Sequence, residues 1–135
     1  MTATATALLG FIVWAILLTF VLLGVRFAAV GRGMPLNGFA ADGRDLDAFG
    51  LRVTRALANC LENLAIVAGA LLYAIATGQT AVTDGLALIA LAARIGQSLT
   101  HMASTSVPAV LVRATLFTVQ VLAVLYWIWG FTQAA

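Results

Sequence analysis

The sequence predicts an all-α integral membrane protein, an up-down four-helix bundle, and three observations carry that prediction. Of 135 residues, 63% are hydrophobic and only 9% are charged, where a soluble domain carries roughly a quarter charged residues. There is no lysine, and the acids are four aspartates and Glu62, so the Lys/Glu coat of a small soluble protein is missing. The apolar residues gather into four runs, each near the roughly 20 residues that a helix needs to cross a bilayer core.

The chain reads as one domain, 1–135, with helices over about 6–30, 49–77, 84–104 and 108–131. The first apolar run starts near Leu8 with no basic residue before it and continues to about Val25. It is longer than a signal-peptide core and lacks the charged start of one, so it is expected to remain as a membrane helix. Between the first two helices, Gly31 to Phe49 holds Pro35, several glycines and the cluster Asp42, Arg44, Asp45 and Asp47, a polar loop with turn chemistry. The link Thr77–Thr83 is short and contains Gly78, with Thr83 or Asp84 expected to cap the third helix. The link Ser104–Pro108 ends in a proline suited to a first helical turn. Short links make antiparallel neighbours.

Arg26, Arg32, Arg44, Arg52 and Arg55 flank or occupy the long loop, whereas the Thr77–Thr83 link and both tails have no arginine. The positive-inside rule therefore puts the long loop in the cytoplasm and both termini outside. Tyr126, Trp127 and Trp129 are expected in an aromatic belt at the outer interface. The arginines form no basic run with interleaved aromatics, which speaks against nucleic acid as a partner. Cys60, the sole cysteine, excludes an intrachain disulfide and a Cys-based metal framework and reads as an apolar packer. No metal site is expected.

Helix two carries Arg52, Arg55, Asn59 and Glu62 at spacings of three, four and three, one helical face that Asn63 adjoins. Helix three carries Arg94, Gln97, Ser98 and His101 on one face in the same way. An ionised group at membrane depth costs about 2.5–3.5 kcal/mol on insertion scales, so Glu62 and Arg94 are expected to face inward and to be paired. Three arginines against one glutamate leave the stripe cationic. That excess implies a pocket for an anion, carboxylates above all.

The pattern Arg52-x-x-Arg55-x-x-x-Asn59-x-x-Glu62-Asn63, followed by Ala93-Arg94, resembles the MAPEG superfamily of membrane-associated proteins in eicosanoid and glutathione metabolism, in its bacterial type. The resemblance covers nearly the whole chain. It implies a homotrimer in the bacterial inner membrane that binds glutathione between subunits, through Arg26, Arg52, Arg55, Asn59, Glu62, Asn63, Arg94 and Gln97. It also implies a glutathione transferase or peroxidase activity on hydrophobic electrophiles that arrive through the lipid, with Arg94 and His101 as the catalytic donors that stabilise the thiolate.

The chain departs from the family pattern in helix three, where His101 stands at a position often tyrosine and Gln97 at one often histidine or tyrosine. The family's helix-four arginine has no counterpart by spacing, because Arg113 lies several residues deeper. Two other functions compete: a non-catalytic binding protein of the same fold, and a small proton-coupled exporter with Glu62 as its acid.

Overall fold

The structure, a computed structural model, describes residues 1–133. Four helices make up the bundle: α1 (Ala3–Gly31), α2 (Ala48–Ala76), α3 (Thr80–Ala103) and α4 (Val107–Gln133). Each is long and apolar enough to cross a membrane, and there is no strand among the described residues. The chain is an all-α integral membrane bundle.

Caps and turns explain where the helices begin. Thr2 Oγ1 accepts from Ala5 N (3.1 Å) at the start of α1, and Asp47 accepts from Gly50 N (2.7 Å) at the start of α2. Gly50 also lets α2 approach α1, since a Cβ there would stand 2.8 Å from a Val25 methyl. The α2–α3 link turns through Gly78 in a left-handed conformation (φ 71°).

α3 begins at Thr80, ahead of the start expected at residue 84, and neither Thr83 nor Asp84 caps it. Asp84 instead reaches across to α1, where one carboxylate oxygen accepts from Thr4 N (2.8 Å) and Thr4 Oγ1 (2.6 Å). The first turn of α1 offers free N–H groups that its own helix cannot satisfy, so the acid of a neighbouring helix serves as their acceptor.

α1 packs on α2 and α3, α4 packs on α3 and more thinly on α2, and α1 does not touch α4. In the half of the bundle that carries both termini, Phe11, Leu71, Ala87, Ala90, Trp127 and Phe131 form an apolar core. Trp127 is fully buried there and so has no place in the expected aromatic belt, whereas Tyr126 and Trp129 are exposed. In the loop half, Leu18, Leu22, Val53, Leu57 and Cys60 fill the space between α1 and α2. Between α2, α3 and α4 the loop half is polar.

Candidate functional site

Arg94, on α3, is 1% exposed, and no carboxylate among the described residues pairs with it. Its Nε donates to Gln120 Oε1 (2.9 Å) and its Nη1 to Asn59 Oδ1 (2.9 Å), while Nη2 has no partner among the described residues. Asn63 Nδ2 donates to the same Gln120 oxygen (2.9 Å). Gln120 Nε2 donates to Gln97 Oε1 (2.9 Å), and Gln97 Nε2 donates to Asn59 Oδ1 (2.9 Å). Two neutral amides, Gln120 and Asn59, thus solvate the buried guanidinium directly, and Asn63 and Gln97 hold those two in place, so that four amides from three helices form one network, in the way that polar groups in a membrane interior find one another.

An open groove lies beside this network, toward the loop end. Asn59, Gln97, His101, Val110, Arg113 and Phe117 line one part, about 240 Å³, and Arg52, Arg55, His101, Thr105 and Arg113 line a second, about 440 Å³. His101 and Arg113 belong to both. Every charged group in the lining is an arginine, and no carboxylate enters it. Arg52 is anchored by its Nε on Met102 O (2.7 Å).

Within one chain, Glu62 pairs with neither Arg94 nor Arg55. Glu62 and Arg55 are exposed on the flank of α2, and the ion pairs among the described residues are Arg32–Asp47 and Arg44–Asp42, both in or beside the loop. Helical geometry explains the split. At about 100° per residue, the polar stripe from Glu62 through Arg55, Asn59 and Arg52 to Asn63 covers an arc of about 100°. α2 stands at a corner of the bundle, so one edge of that arc turns inward at Asn63 and Asn59 and the other turns outward at Glu62. The outward flank also exposes Ala58, Ala65 and Gly69, small residues that permit close approach of another helix.

Arg26 lies apart from the groove, its guanidinium 5.3 Å from the ring centre of Phe39. Arg94, expected to meet the ligand, lines neither part of the groove and stands behind Asn59. Two groups that spacing left without a role enter the site. Arg113 and Gln120 are seven residues apart, two turns of one α4 face, and a polar pair at that interval in an apolar span was the available signal. Among the described residues, no three His, Cys, Asp or Glu side chains gather as metal ligands would.

The family model described as MAPEG family matches residues 4–132, and the chain belongs to that family. No curated protein and no solved structure matches it.

Proposed function

We propose, from MAPEG family membership and the cation-lined groove, that this protein binds glutathione at the arginine end of the bundle and presents its thiol to hydrophobic electrophiles. The observation that carries the reading is the composition of the groove: Arg52, Arg55, Arg113, His101, Asn59 and Gln97 converge on it without one acid. Such a lining fits a tripeptide with two carboxylates, which planar guanidinium groups grip through paired hydrogen bonds. The same positive field favours a thiolate over a thiol. Attack by that sulfur on an electrophilic carbon forms the S–C bond and expels the leaving group with its electron pair. His101 and Arg113, shared by both parts of the groove, are the groups available to steady the thiolate.

Glu62 and Arg55 on the outer flank of α2 support a homotrimer, because a second copy gives the acid a polar partner that lipid cannot. In that assembly Glu62 is the acceptor for the ligand's ammonium group, and Arg26 of an adjacent copy is a further carboxylate contact. By the positive-inside rule, the arginine-rich loop supports a cytoplasmic position for this end, with both termini across the membrane.

A second reading, ligand binding without turnover, draws on the position of Arg94, which stands behind Asn59 and out of reach of a sulfur in the groove. Titration of the detergent-solubilised protein with glutathione, followed by thiolate ultraviolet absorbance and then addition of an aromatic electrophile, separates the two. Binding, a thiolate signal and turnover are expected. Binding alone favours the second reading, and absence of binding overturns both.

A further inference from the structure

Arginine has five N–H donors and no acceptor, so a buried guanidinium dictates which end of each neighbouring amide must face it. Arg94 therefore fixes the polarity of the whole network. Gln120 must turn its oxygen to Arg94 Nε, and this sends its nitrogen to Gln97 Oε1. Gln97 is then committed as well, with its nitrogen on Asn59 Oδ1, which Arg94 Nη1 holds at the same 2.9 Å. The Asn59 oxygen is thus engaged twice by its own chain. Its Nδ2 has no acceptor among the described residues, and Asn59 lies on the wall of the groove.

We propose that Asn59 is the ligand-facing end of a buried relay in which Gln120 and Arg94, as positioning residues, lock its amide so that an N–H donor points into the groove and selects an anionic acceptor. A free asparagine amide rotates by half a turn at little cost and offers oxygen as readily as nitrogen. Here that rotation would bring an N–H group against the donors of Arg94 and Gln97. The relay also strengthens the donor that it aims. Two donors on Oδ1, one of them charged, polarise the amide and make its N–H hydrogens more positive. The buried charge acts on the groove through a neutral side chain, without the solvation cost of exposing a guanidinium to lipid. Gln120 closes the arrangement from α4, because both of its amide ends are occupied. The identity of the acceptor as a glutathione carboxylate rests on the function proposed above, whereas the orientation of Asn59 does not.

The test uses the full chain in detergent micelles, labelled with ¹⁵N in its asparagines. Asn37, Asn59 and Asn63 are the only three, so the side-chain amide spectrum is simple, and loss of one signal pair in Asn59→Asp assigns it. In Gln120→Leu the Asn63 pair is expected to move because its direct partner is gone, and the Asn59 pair is expected to move with it through Arg94 and Gln97. Glutathione affinity is expected to fall about tenfold, the scale of one charge-assisted hydrogen bond. Gln120→Glu keeps the acceptor for Arg94 and Asn63 and is expected to restore much of the Asn59 position and of the affinity. Should Gln120→Leu not fold, Gln120→Glu carries the same test, with a smaller Asn59 displacement expected from loss of the donor to Gln97. An Asn59 signal that stays in place while Asn63 moves overturns the relay. Failure of the unmodified protein to bind glutathione removes the proposed ligand and leaves the Asn59 signal to decide the relay.

Discussion

The two halves of this bundle solve one problem in opposite ways. In the half that carries the termini, α1, α2, α3 and α4 close on Phe11, Leu71, Trp127 and Phe131, and a clamp between Thr4, Thr83 and Asp84 ties α1 to α3. In the loop half the apolar core covers only the α1–α2 side. The α2–α3–α4 side is given to Arg94, its amides and a groove of arginines. Membrane helices gain nothing from hiding apolar side chains from lipid, so the first half is held by close packing and the second by hydrogen bonds that have no substitute in hydrocarbon. The division teaches where function can be built. A packed half fixes the helices, and a polar half with a thin α2–α4 seam can leave room for a ligand.

Three substitutions probe that division. Trp127→Ala is expected to act on the packed half with the largest effect, a loss of about 3–5 kcal/mol from the cavity it leaves. Unfolding in detergent would measure it, and molecules that remain folded should bind glutathione with unchanged affinity. A loss of affinity would show that the two halves are not independent. Arg113→Ala should do the reverse, lowering glutathione affinity about tenfold or more while the unfolding transition stays in place. A shift in unfolding with intact binding would return Arg113 to a structural role. The smallest effect is expected for Thr4→Val, which removes the hydroxyl on Asp84 but keeps the backbone N–H contact. It should slightly lower the unfolding temperature and speed hydrogen exchange in the first turn of α1, with no change at the groove.

Much of this architecture was legible in the residues. Helix number and the polar character of α2 and α3 follow from hydropathy and from spacings of three and four, because those patterns depend on the helix alone. What spacing could not supply was the position of each helix in the bundle. A stripe about 100° wide on α2 is compatible with Glu62 inside or outside, and only the corner position of α2 decides it. The same limit explains Arg94. Its need for partners was evident, yet the partners are amides, and one of them, Gln120, stands alone among Val119, Val121 and Leu122 on the last helix. Thr83 and Asp84 show a third case, in which a good cap sequence serves a helix remote in the chain.

The solvation of Arg94 also bears on how the chain is made. α3 is the least apolar of the four spans, and it carries a guanidinium near its middle. When α3 emerges from the ribosome, Asn59 and Asn63 of α2 are already outside it, but Gln120, the acceptor for Arg94 Nε, has yet to emerge. An insertion cost of about 2.5–3.5 kcal/mol for a central arginine is therefore only partly offset until α4 enters the bilayer. Insertion of this bundle is in that sense completed from α4 backward: the arrival of α4 finishes the solvation shell of α3 and so helps to hold the third span in the membrane.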